Sequence, residues 1–264
     1  MPEDARIFVD AVKRYCARHK IAIEVRSQGW LIVMQRGSRQ YFTLGYDVGL
    51  NSAIAHRIAN DKAATADVLT LAGIACVPHT VFLNPKLSAH VPPSGSWQAM
   101  LDLFGQHPEG IVVKPNEGTA GKSVFLVSTS PELERAAAEI FSSHLTLAIS
   151  PYVEIEDEVR VVVIDQLAPV VYSKQRVLNW RHNLDAGARP VLLEPGEARE
   201  AYVAIAVKAA KAVGIRFASV DVIRVGGALK ILEINSGVMM EALGKFYPDL
   251  VDAAYSAALD RVFA

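Results

Sequence analysis

Cysteine is almost missing. Cys16 and Cys76 are the only two in 264 residues, too few for a disulfide framework and without a neighbour at metal-site spacing. Both read as buried structural thiols. The seven histidines are scattered, with no HxxxH pair, so a zinc signature is absent. No run approaches 18 apolar residues, and the start, MPEDARIFVD, lacks the charged-then-apolar order of a signal peptide. The expectation is a cytoplasmic protein with no membrane partner. There is no basic block and the formal net charge is −1, which argues against a nucleic-acid partner held by phosphate neutralisation. No convincing Ser-His-Asp or Cys-His set appears, so chemistry through a side-chain nucleophile is not expected.

What is present is apolar material. Hydrophobic residues make up 51% and charged residues 21% of the chain, enough to build a sizeable core and too apolar for disorder. Periodicity predicts an amphipathic helix over 4–19, then short strands at 21–25, 30–35 and 40–44. Helices follow to about 60, capped by Asn51 or Ser52, and over 62–72, ending at Gly73. A strand lies at 80–83. HVPPSGS (90–96) is the best linker candidate, before a helix at 97–104. Further on come a helix at 131–144 and strands at 145–150, 158–164 and 169–172. A polar, irregular stretch spans 174–198. A helix fills 197–213, a hairpin pairs 219–224 with 229–235, and a final helix spans 250–262. No repeat is visible, and short strands among helices read as α+β.

The stretch KPNEGTAGKSV, 114–124, ends like a Walker A loop, but the leading glycine position holds Asn116. The flanks decide against that motif. A P-loop needs a strand before it and a helix after it. Here 111–113 and 123–127 are both strand-like, and no helix starts before Pro131. Such a strand–loop–strand unit still grips anions, because Gly118 and Gly121 let backbone N–H groups form a concave nest, with Lys122 and Thr119 as added donors. The plain alternative is a hairpin turn with a solvated lysine.

VDVIRVGGALKILEIN carries the stronger signal. Strand alternation points Glu233 and Asn235 the same way. With the turn near Gly227, Asp221 falls opposite residue 233 or one position from it. Three oxygen-bearing side chains then share one face, a donor set suited to Mg²⁺ with substrate phosphates. The plain alternative pairs Asp221 and Glu233 with Lys174 or Arg176 on a solvated sheet. Charges inside apolar strands favour a site, since burying them unpaired is costly.

Together these parts resemble the ATP-grasp superfamily over about residues 44–240, in its amino-acid and peptide ligase branch: glutathione synthetase, cyanophycin synthetase and ribosomal-protein glutamate ligase. The resemblance implies two α+β lobes clasping ATP, here 51–150 and 151–264, behind a reduced N-terminal domain of residues 1–50. IANDKAAT and KPNEGTAGKSV match the family's two lysine segments, which implies that Lys62 and Lys114 contact ATP phosphates, Lys114 the adenine as well. Gly118, Thr119, Ala120, Gly121, Lys122 and Ser123 would form the flap. SPYVEIEDEVRVVVID resembles the adenine hinge, which implies Ser150, Pro151, Tyr152 and Val153 for adenine, Glu158 or Asp157 for the ribose, and Leu232 as a further ATP contact. Ser150 departs from the usual Glu or Gln. Arg160 matches a substrate-side arginine. WRHNLDAGA, 180–188, resembles an R-x-N-x-x-x-G stretch, which implies that Arg181 and Asn183 touch the γ-phosphate or the acyl phosphate, with Lys174 and Arg176 nearby. Asp221, Glu233 and Asn235 match the D…E-x-N metal ligands, implying two Mg²⁺ ions. After EIN, SGVMMEALGK replaces the usual proline-containing turn beside the acceptor site.

The implied activity is ATP-dependent joining of a small-molecule carboxylate to an amine through an acyl phosphate, releasing ADP and phosphate. Either substrate could be an amino acid, a peptide or a carrier-borne group. A phosphotransferase of the same fold, or a nucleotide-binding module working with a partner chain, are the alternatives. Homo-oligomer formation stays open.

Overall fold

The computed structural model describes residues 6–86, 93–118, 121–174 and 189–264. Elements are numbered in chain order. The run DEVRVVVI becomes β8 (Asp157–Ile164), a central strand buried on both faces. Its alternation explains why. Val159, Val161 and Val163 join one apolar cluster, Val162 and Ile164 the opposite one. Around it forms an antiparallel five-stranded sheet, ordered β10 (Pro190–Leu192), β9 (Leu167–Lys174), β8, β11 (Phe217–Val225), β12 (Ala228–Asn235).

One face of this sheet is covered by α2 (Ala53–Asn60), α3 (Lys62–Leu71) and α6 (Glu197–Val213). The other face is apolar at one end only, where Tyr172, Val170 and Phe217 pack under α1 (Ile7–His19) and α8 (Pro248–Val262). The same core takes in a three-stranded antiparallel sheet, β1 (Ala22–Arg26), β2 (Leu31–Arg36) and β3 (Arg39–Leu44). At its other end that face carries Glu158, Arg160, Lys174 and Asp221 and looks into a cleft.

A third antiparallel sheet, ordered β4 (Thr80–Leu83), β7 (Thr146–Pro151), β5 (Ile111–Pro115), β6 (Phe125–Val127), closes the cleft from the opposite side. Its back is covered by α4 (Pro93–Gly105) and α5 (Ser130–Phe141). Helix α5 starts with a capping box: Thr129 accepts the Glu132 N–H, and the Glu132 carboxylate accepts the Thr129 N–H. The short α7 (Glu241–Gly244) follows β12. No helix among the described residues is long and apolar enough to cross a membrane.

Several boundaries differ from expectation. Helix α4 starts at Pro93, inside the linker candidate. Strand β9 continues to Lys174 and β10 rises from the stretch read as irregular. Strand β6 starts only at Phe125, because Gly121 and Ser123 both take positive φ (65° and 51°) and keep the loop out of the ladder.

Candidate active site

The cleft between the two larger sheets has a volume of about 220 Å³. Lys114 reaches it from β5, next to Val112, whose cross-strand neighbour is Ser150. Lys62 reaches it from the first turn of α3. That turn is fixed twice: the Asp61 carboxylate accepts the Ala64 N–H at 2.8 Å, and the Asn116 side-chain oxygen accepts the Ala63 N–H at 3.1 Å. The Lys62 ammonium donates to the carbonyls of Asn116 (3.3 Å) and Gly118 (3.2 Å). So Asn116, standing where a Walker loop has glycine, bolts the lysine helix to the start of the glycine loop.

The hinge lies along the edge of β7. Ser150, Pro151, Tyr152 and Val153 all line the cleft, and the Tyr152 N–H donates to the Gly110 carbonyl at 3.0 Å. Leu232 comes up from β12 on the opposite wall. Val77, Val112, Val124 and Ile155 add apolar surface. Those four were not foreseen, since an isolated apolar side chain, in a strand like Val112 or in a connection like the other three, carries no sign of what it faces. Gly118, Gly121 and Lys122 complete the lining. Ser123 does not join it; its hydroxyl donates to Glu139 at 3.4 Å. Thr119, Ala120, Arg176, Arg181 and Asn183 lie outside the described residues.

Hairpin β11–β12 sets the carboxylates. Its two-residue loop, Gly226-Gly227, has φ of 57° and 75°, the type I′ geometry that glycine adopts without strain. Asp221 then pairs with Glu233, and a bulge at Leu232 breaks the register, since Val222 pairs with Ile231. The extra residue lets Ile231 and Ile234, three apart, both enter the core, while Glu233 and Asn235 both turn away from it. The Asn235 amide donates to the Glu233 carboxylate at 3.2 Å.

Asp221 is buried and does not face free space. Arg160, its neighbour on β8, grips it with two hydrogen bonds of 2.7 and 2.6 Å, and Lys174 adds a third at 3.1 Å. Lys174 also bonds Glu158, one residue beyond the last β8–β9 register pair, Val159 with Ser173. Burial would raise the Asp221 pKa, but Arg160 and Lys174 outweigh it and hold the carboxyl well below the carboxylate range. Burial raises Glu158 despite Lys174. Of the two ribose candidates, Glu158 lines the cleft, whereas Asp157 is tied to Arg224 and Tyr202 away from it.

Cations outnumber anions in the lining. Lys62, Lys114, Lys122, Arg160 and Lys174 face Glu158 and Glu233, with Asp221 behind them. Five against three leaves a surplus of positive charge in a partly buried cleft, which favours a polyanionic ligand. Burial lowers the Lys114 pKa to about 8, helped by the nearby Lys62 charge and opposed by Glu233 and Glu158. Burial lowers Lys62 as well, against the pull of Glu233, Asp61 and Glu117.

Residues 59–253 match the profile of the RimK-like ATP-grasp domain. The chain belongs to that family. A "Probable alpha-L-glutamate ligase" of Shewanella halifaxensis (strain HAW-EB4) is 32% identical over 172 residues, 61% of this chain and 36% of the relative. The "Ribosomal protein bS6--L-glutamate ligase" of Escherichia coli O1:K1 / APEC is 28% identical over 211 residues, 78% of this chain and 65% of that one. The RimK-like chain thus spans between 36% and 65% of the length of these two curated relatives. Among solved structures, the D-alanine–D-alanine ligase of Bacillus anthracis complexed with ATP superposes with a TM-score of 0.59. At 22% identity it covers 80% of this chain and 66% of its own. That likeness shows the ATP-grasp fold, here two helix-covered sheets facing each other across a cleft.

Proposed function

We propose that this RimK-like chain is an ADP-forming carboxylate–amine ligase. The observation that carries the reading is the cationic cleft in which Lys62 of α3 and Lys114 of β5 share one lining with Glu233 of β12, with Asn235 in the adjoining cavity. The names of its relatives support the ligase class and single out L-glutamate as the first substrate to try.

In this reading adenine lies along the hinge of Ser150 to Val153, between Val112 and Leu232, and Glu158 takes the ribose hydroxyls. Lys62, Lys114, Lys122 and the flap amides hold the phosphates. A carboxylate oxygen attacks the γ-phosphorus, the bond to the bridging oxygen breaks, and ADP leaves. An amine then attacks the acyl carbon and expels phosphate. Preorganised cations stabilise the charge that develops on the transferring group. Arg160, Lys174, Arg181 and Asn183 are the proposed contacts on the substrate side.

The residues fit magnesium in part. Glu233 and Asn235 stand side by side facing the phosphate end, and Mg²⁺ commonly uses one or two carboxylates plus phosphate oxygens. Bound there, one or two ions would neutralise phosphate charge. Asp221 joins that set only if Arg160 and Lys174 turn towards the substrate and release it.

The test is ADP release from ATP–Mg²⁺ across a set of acids that includes L-glutamate, with and without hydroxylamine. ADP and a hydroxamate formed only when acid and hydroxylamine are both present support the ligase. Phosphate transfer to a hydroxyl, indifferent to amines, would replace it with a phosphotransferase.

A further inference from the structure

A second cavity, about 200 Å³, opens off the phosphate end of the cleft and shares Lys62, Gly118 and Glu233 with it. Its floor is apolar, made by Ala66 and Leu69 of α3 and by Ile231 and Ile234 of β12. Its rim carries charges of both signs, Lys62 against Glu117 and Glu233. His79 lines it and is 7% exposed.

The His79 ring has one satisfied end. Nδ1 lies 2.9 Å from the Val77 carbonyl, which can only accept, so Nδ1 carries the proton. Nε2 is buried and has no partner among the described residues. Burial, then the Lys114 charge, pushes the imidazole well below its ordinary pKa, so the ring is neutral and Nε2 presents a lone pair. A buried acceptor without a donor is costly and asks for one. One water, at about 30 Å³, leaves most of this space unfilled, and a cavity of about 150 Å³ suffices for a benzene-sized molecule.

We propose that this cavity seats the amine substrate as an α-amino acid, its amino N–H donated to His79 Nε2 beside Glu117 and its side chain on the apolar floor. The inference rests on the ligase reading. A neutral acceptor orients the amine without being a strong enough base to keep its proton. The ammonium gives its first proton to water on entering the apolar cavity; the nitrogen lone pair then forms the bond to the acyl carbon, the carbon–oxygen bond to phosphate breaks, and the departing phosphate takes the second proton. Lys62, shared by both cavities, places that junction at the phosphate end.

The experiment titrates the folded chain, loaded with Mg²⁺ and a β,γ-imido ATP analogue, with each of the twenty amino acids by calorimetry. One amino acid is expected to bind the wild type. His79→Phe should weaken it tenfold or so, His79→Gln, whose amide oxygen accepts, should recover most of the loss, and Ala66→Met should abolish binding by filling the floor. Analogue affinity should hold in all three. No binding to the wild type, or equal binding to His79→Phe and Ala66→Met, overturns the proposal. Hydroxylamine-dependent ADP release is read separately. Release without amino-acid binding rejects the cavity and spares the ligase, whereas binding without release rejects the ligase and with it the amino acid's role as a substrate.

Discussion

Lys114 sits where two demands conflict. Phosphate binding needs its positive charge, and burial works against that charge, bringing its pKa to about 8. ATP affinity should therefore fall as pH rises through about 8, and Lys114→Arg should flatten that dependence, since guanidinium stays charged. Stability of the free protein should move the other way. Between about 8 and the ordinary lysine value of 10.5 the unfolded chain binds more protons at this site, so Lys114 contributes rising stability with pH. Denaturant titrations and nucleotide titrations across pH 7–10 would check both signs. Asp221 is a different case, because it is fully buried and both of its partners are mostly buried with it. Asp221→Asn should cost about 3–5 kcal/mol in urea unfolding, as Arg160 and Lys174 lose their compensating charge. A loss below about 1 kcal/mol would show that the cluster is solvated.

At the scale of the element, the bulge and the Asn116 bolt decide where the chemistry points. Asn116→Ala should cost about 1 kcal/mol, like the loss of a helix cap, and should also weaken ATP binding, because Lys62 loses its anchored turn. Unchanged affinity would mean that the lysine finds its place without the loop. Some of this was legible beforehand. Gly226-Gly227 between β-branched runs announced the hairpin, and Glu233 with Asn235 followed from alternation. Helix α6 matched its expected span, since Gly214 ends it with a left-handed cap. Other parts carry no local signal. Lys174 looked like the start of a polar loop, and its pairing with Asp221 was foreseen only as the plain alternative on a solvated sheet, because its partners, Glu158 and Asp221, are 16 and 47 residues away. The bulge was hidden in the spacing of Ile231 and Ile234. Asn116 read as a missing glycine until its carboxamide was seen to hold α3. His79 gave no hint, since a histidine beside a proline is as often a satisfied core residue.

Across the whole molecule, the two ends of the chain close over one sheet face. Glu241, which follows the EIN strand, accepts the Ile7 and Phe8 N–H groups at 2.8 and 3.3 Å and the Tyr46 hydroxyl at 3.0 Å. Arg14 and Arg18 also meet Asp252 across α1 and α8, but both arginines are about half exposed. Exposed pairs contribute about 0–1 kcal/mol, whereas each part-buried donor left without an acceptor costs up to about 1–3 kcal/mol, and Glu241 serves three. Glu241→Ala should therefore lower the melting temperature clearly more than Asp252→Ala; the reverse order would place the clamp in the surface ion pairs.

If the cleft between the sheets activates a carboxylate, as proposed, one oxygen of the acid must leave with the phosphate, and following that oxygen decides the matter. The acid that supports turnover would be labelled with ¹⁸O in its carboxylate, and the released phosphate examined by ³¹P NMR. Transfer of one labelled oxygen to phosphate in each turnover is the predicted result, because the acid's oxygen becomes the acyl-phosphate bridge. Unlabelled phosphate alongside amide formation would contradict an acyl phosphate and the account built on it.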